Sequence, residues 1–191
     1  MKIVGITGGI GSGKSTVSKI LTTMGYPVFD SDQAGKLAYN NEKIRTAVIS
    51  LLGSKIIDEQ GKLNFKAIAE MVFTDHQLLL SLNKIIHPFV QNTFEKWCEN
   101  QNSKVVFKES AILFESGAHL HCDFVVSVIT DKKTRINRIL IRNPELTEET
   151  IQDRIKTQIT DKEKIEKSDF ILHNTNTLLI PQVNAMLSKL H

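Results

Sequence analysis

The sequence predicts an α/β fold, a parallel sheet layered between helices, and two observations carry that expectation. Short apolar runs alternate with helical patterns, and a long helical stretch interrupts the alternation once, between the second and third runs. Residues 2–7, KIVGIT, end at glycines and read as a buried parallel strand. Residues 14–24 place Val17, Ile20, Leu21 and Met24 at helical spacing, and Gly25 ends the helix. Residues 27–30 form a second strand. From Ser31 to about Ser103 the pattern is helical, with Leu78, Leu82, Ile85, Ile86, Phe89 and Val90 on one face, and Pro88 is expected to kink or divide that stretch. Asp58 to Gly61 reads as a turn within it. Strand character returns at 104–107 and 123–129. The segment 133–142 is helical and rich in arginine, and Asn143-Pro144-Glu145 breaks it. Thr147 is expected to cap a further helix that carries Ile151, Ile155 and Ile159 on one face. A last strand at 169–172 and an amphipathic helix at 177–190 close the chain.

Composition narrows the function. The 191 residues are 41% hydrophobic and 24% charged, which suits a globular chain able to bury a sizeable core. A net charge of +3 suits small anionic substrates, and no long basic block points to nucleic acid. Cys98 and Cys122 lack CxxC or metal-ligand spacing, so they read as free thiols of a reducing compartment. No apolar run is long enough to span a bilayer and nothing resembles a signal peptide, so a cytoplasmic location without a membrane partner is expected. No motif encodes an oligomeric state; a monomer is the default expectation.

The chemistry begins at Gly8 to Ser15, GGIGSGKS, which matches GxxxxGK[ST] between a predicted strand and a predicted helix. This is the phosphate-binding P-loop, and it specifies a three-layer P-loop NTPase core. Glycines allow the backbone to wrap an anion closely, and the following helix points its positive end at the same charge. Gly11, Ser12, Gly13, Lys14, Ser15 and Thr16 are therefore the expected ATP-binding residues. Lys14 reaches the β and γ phosphates, and Ser15 is the expected Mg²⁺ ligand.

The acceptor side is read from position. Asp30 and Asp32 follow the second strand, where sites of open α/β sheets lie, and an aspartate there can take the proton of an attacking hydroxyl. Turn or helix-capping aspartates are the alternative. Arg135, Arg138 and Arg142, spaced i, i+3, i+7, share one helix face and suit a lid that closes on the transferring phosphoryl group; a solvated basic face is the alternative. Asp58 to Gly61 also fits DxxG, a GTPase element, but Asn83-Lys84 is not followed by the aspartate of a guanine-reading NKxD. A different small-molecule kinase, a GTPase and an ATP-dependent binding module stay open on these residues alone.

Several segments together resemble the dephospho-coenzyme A kinase family. They are GITGGIGSGKSTV at the N-terminus, Phe29-Asp30-Ser31-Asp32 against a DAD signature, and residues 51–73. The resemblance continues with Leu82 to Pro88 (LNKIIHP), with Ala111 to Glu115 against PLLFE, and with Arg154 and Gln158 in an RxxxQ pattern. It covers almost the whole chain in order. It implies ATP-dependent phosphorylation of the ribose 3′-hydroxyl of dephospho-coenzyme A. It also implies Asp32 as catalytic base, Asp32 and His87 as substrate-binding residues, and Lys14, Arg138 and Arg142 as catalytic partners. It divides the chain into a nucleotide-binding core (1–30, 104–137 and 158–191), a helical substrate domain (31–103) and a lid (138–157). His87 has a structural alternative, as a buried histidine before proline. The sequence departs from the family at Ala111, where proline is usual, and at Lys36, where arginine is frequent. It departs again at His173 to Asn176, which lacks the glycine that in the family follows closely on an asparagine near the adenine, the place of Asn174 here.

Overall fold

A computed structural model describes residues 1–190, with the side chains of all but 73, 74 and 76. The chain divides into two compact units, Ser31–Glu99 and the remainder.

The larger unit is built on a parallel five-stranded sheet with strand order β2-β3-β1-β4-β5. The strands are β1 (Lys2–Thr7), β2 (Val28–Asp30), β3 (Val105–Glu109), β4 (Phe124–Ile129) and β5 (Phe170–His173). The central strand β1 pairs Val4 with Phe107 on one side and with Phe124 on the other. Its four last residues are fully buried, as expected of a strand covered on both faces. Helices α1 (Lys14–Thr23) and α9 (Leu179–Leu190) cover one face. Val17, Leu21, Val183, Met186, Leu187 and Leu190 pack there against Val4, Ile6, Phe107, Val126 and Val128. On the other face, Leu113, Phe114 and Val125 form a second cluster, with Cys122 and Ile159 against it. Burial pushes the Cys122 thiol up to about 11, with nearby Lys108 opposing and Asp123 adding to the shift, so Cys122 stays a neutral packing residue near neutral pH. Neither Cys98 nor Cys122 is in a disulfide.

Strand β3 continues two residues past the expected Phe107. Lys108 and Glu109 are charged, which hid them from an apolar pattern, yet Lys108 is buried in the sheet. Helix α6 (Lys132–Arg142) starts at an Asp131 cap, and α7 (Glu148–Lys156) starts at Thr147, whose hydroxyl accepts from Thr150 N at 3.2 Å. A short helix α8 (Asp161–Glu166) has no counterpart in the sequence reading. It is fixed by a reciprocal capping box between Thr160 and Glu163.

The smaller unit contains α2 (Ser31–Ala38), α3 (Glu42–Leu52), α4 (Phe65–Thr74) and α5 (His76–Glu99). Val48, Leu52, Ile56, Ile68, Leu82 and Ile86 form its core. Asn41 and Asn64 cap α3 and α4 through their side-chain oxygens. Pro88 does not divide α5, which runs unbroken through it. Proline costs one backbone bond there, but the apolar face from Leu78 to Phe94 holds the helix in place. Asp58 to Gly61 forms a turn closed by the Ile57–Leu63 bridge. The Asp58 carboxylate accepts from Gln60 N and Lys62 N at 2.9 and 2.8 Å, so it serves the turn's own backbone.

Candidate active site

Strand β1 ends at Thr7, and residues 8–13 turn the chain into α1. This lies at the carboxyl end of the central strand, where β1 continues to a strand on one side and β4 lies on the other, the switch point at which α/β sheets open a crevice. Ser12 N donates to Gly9 O at 3.0 Å, and no side chain caps α1. The first turn of the helix is thereby arranged to receive an anion. Ser15 and Thr16 sit in that turn and are exposed. Lys14 is buried against its own loop, its Nζ donating to Gly8 O at 3.0 Å. A lysine lying along the rim this way needs only a rotation of its flexible stem to meet phosphate.

The loop is tied to the ends of β4 and β5. Ser12 O accepts from Thr130 Oγ1 at 2.9 Å and from Asn174 Nδ2 at 2.8 Å. Both residues come immediately after their strands, so the sheet itself sets the loop's height. Asn174 therefore has a definite role in the loop's geometry, although its sequence context is unlike the family's. Gly13 has φ +96°, and a Cβ there would lie 2.1 Å from Asn174 Nδ2. Gly13→Ala is expected to weaken ATP binding by on the order of tenfold. The left-handed backbone alone penalises a side chain by about 1–2 kcal/mol, and Asn174 must move as well. Calorimetric titration with ATP checks this; an unchanged affinity would show that the loop does not need this conformation.

The three arginines of α6 reach different environments. Arg135 is 4% exposed; its Nε donates to Ile10 O at 2.8 Å and its Nη1 meets Asp161 at 3.2 Å. Arg138 Nη2 donates to Asn174 O at 2.9 Å. Its Nη1 is buried without a hydrogen-bond partner among the described residues and lies 3.7 Å from the Cβ position on Gly13. An unpaired guanidinium N–H beside a phosphate loop is available to an incoming anion. Arg142 is exposed, and its Nε donates to Asn143 Oδ1 at 3.1 Å. Sharing one helical face did not bring the three heads together, because long side chains fan out from a common stripe.

Other polar residues support the loop. Gln158 Oε1 accepts from Ile10 N at 2.8 Å, and its Nε2 donates to Ala111 O at 3.2 Å. Ser18 Oγ, one turn beyond Ser15, donates to the Glu109 carboxylate at the end of β3. Lys164 is buried and its Nζ donates to Ile159 O; burial lowers its pKa, with Glu115 and Asp161 opposing that shift. Thr130, Glu109, Asp161 and Lys164 were not singled out by sequence reasoning. The position of Thr130 and Glu109 at strand carboxyl ends was the available signal.

Asp32 is the second residue of α2 and is exposed; His87 lies half-buried on α5, and Lys36 is exposed in the last turn of α2. Among the described residues no group of three His, Cys, Asp or Glu side chains is placed to hold a metal ion. Mg²⁺ in nucleotide sites takes few protein ligands and uses phosphate oxygens, so a single hydroxyl such as that of Ser15 fits that demand.

The family model for dephospho-CoA kinase matches residues 2–179. The chain belongs to the dephospho-CoA kinase family. A dephospho-CoA kinase of Fusobacterium nucleatum is 38% identical over 92% of this chain and 91% of its own length. One from Porphyromonas gingivalis is 39% identical over 96% and 91%. A crystal structure from Thermus thermophilus superposes with a TM-score of 0.89 at 31% identity, covering 100% of this chain and 98% of that one. The dephospho-CoA kinase from Campylobacter jejuni superposes at 0.68 with 25% identity and the same coverage. A shikimate kinase from Bacteroides thetaiotaomicron, 13% identical with a TM-score of 0.56, shares the fold alone. Dephospho-CoA kinases use ATP to phosphorylate dephospho-CoA, making CoA.

Proposed function

We propose that this chain transfers the γ-phosphoryl group of ATP to the ribose 3′-hydroxyl of dephospho-coenzyme A, giving coenzyme A and ADP. The observation that carries the reading is a formed phosphate loop at the head of the sheet in a chain matched to the family over residues 2–179. Gly11 to Thr16 receive the triphosphate, and Lys14 leaves Gly8 O to neutralise charge on the β and γ phosphates. The Ser15 hydroxyl would hold Mg²⁺, which when bound would supply further neutralisation of phosphate charge. Asp32 accepts the proton as the 3′-oxygen forms its bond to phosphorus and the bond to the β-phosphate oxygen breaks. Arg138 and Arg142 stabilise the charge spread over the transferring group.

The segment 31–103 takes the coenzyme A portion, with His87 in its substrate-binding surface. The segment 138–157 acts as the lid that excludes water. No helix among the described residues is long and apolar enough to cross a membrane. The enzyme is proposed to work in the cytoplasm as a monomer, with a small-molecule substrate and neither nucleic acid nor membrane as partner. Incubation with ATP, Mg²⁺ and dephospho-coenzyme A should yield coenzyme A by mass spectrometry. ATP binding without that product would overturn the reading.

A further inference from the structure

We propose that Arg135 and Gln158 are positioning residues of the phosphate loop, acting together on Ile10. The loop from Gly8 to Gly13 contains four glycines, and glycine loses more conformational freedom on ordering than any other residue. Something must hold it if it is to meet ATP already shaped. Ile10 lies in its middle, and both of its backbone polar groups are taken by side chains: N–H by Gln158 Oε1 and C=O by Arg135 Nε, each at 2.8 Å. The Ile10 side chain packs against Ile136, Ile139 and Ile151. Each clamp arm is itself anchored, Arg135 on Asp161 and Gln158 on Ala111 O.

Gly9 completes the arrangement. A Cβ at Gly9 would lie 2.1 Å from Arg135 Nη2, so the guanidinium lies directly against the Gly9 backbone, where any side chain would stand. Because the Ile10 N–H is engaged by protein, it is not one of the amides offered to phosphate; that task falls to the residues from Gly11 onward.

The two arms also bracket a segment. Arg135 precedes and Gln158 follows residues 138–157, so the residues flanking the arginine-bearing segment on both sides are bonded to one loop residue. The shape of the loop and the placement of that segment are then a single equilibrium. ATP, by binding one shaped loop, selects both. This rests on the reading of the loop as the ATP site, but not on the identity of the acceptor.

The test uses the full chain with Arg135→Met, Gln158→Met, the double variant and Gln158→Glu. ATP Kd is measured by calorimetry without acceptor, alongside KM for each substrate and Tm. Loss of one charge-assisted or buried bond predicts ATP Kd and KM raised on the order of tenfold, with KM for dephospho-coenzyme A within about twofold of wild type. The double variant should lose no more than the worse single one, since both arms serve one residue. Gln158→Glu keeps the acceptor for Ile10 N–H but loses the donor to Ala111 O until the carboxyl is protonated, so its ATP affinity should recover as pH falls. Unchanged ATP affinity, strictly additive losses, or a fall in Tm with both KM values rising equally would each overturn the proposal. Failure to make coenzyme A with ATP affinity behaving as described would leave it standing.

Discussion

Lys14→Ala is expected to lower kcat/KM for ATP by on the order of 10²–10³-fold, the range seen when one preorganised donor to a developing charge is removed. In the structure Lys14 Nζ rests on Gly8 O, a bond that a neutral methyl cannot replace or later exchange for phosphate. The deficit should fall mainly on turnover, because the charge on the β–γ bridge grows as the bond breaks. Lys14→Arg should recover little, since the site is buried and a guanidinium is broader than an ammonium. Steady-state kinetics with ADP release as readout decides the matter; a kcat/KM within a fewfold of wild type would remove Lys14 from the mechanism.

Asp32→Asn is expected to lose about 10²–10⁴-fold in kcat while calorimetric ATP affinity stays within about twofold, the pattern of a missing general base. The amide preserves shape and hydrogen-bonding reach but cannot hold the proton of the attacking hydroxyl. Asp32 stands in the first turn of α2, exposed, so the substitution leaves the core of the 31–99 unit untouched. Near-normal turnover would assign the proton to another group.

The sheet and its phosphate loop were legible in the sequence because glycine spacing and apolar runs are written at short range. Gly8, Gly13 and Lys14 sit between a strand and a helix whose patterns are unambiguous. What stayed hidden has particular reasons. Helix α8 spans Asp161–Glu166, almost entirely polar, so it offered no apolar period; its only written sign was threonine followed three residues later by glutamate. Lys108 and Glu109 extend β3 with charged residues that only tertiary packing can accommodate. The division of labour among Arg135, Arg138 and Arg142 was illegible, because spacing fixes where a side chain leaves a helix and not what its far end meets. Gln158 was noticed through an RxxxQ pattern, but its partner Ile10 is 148 residues away.

The parallel pairing of β1 has a consequence for how the chain comes off the ribosome. Lys2 lies opposite Val105 and Val4 opposite Phe124, so β1 is made long before either of its neighbours exists. The helical unit at 31–99 makes its contacts locally and needs no such wait. Synthesis should therefore produce a folded helical unit while the apolar residues of β1 remain uncovered. Limited proteolysis of ribosome-bound chains arrested near residue 130 should find 31–99 protected and 1–30 still cleavable. Simultaneous protection of both would show that the sheet does not lag behind.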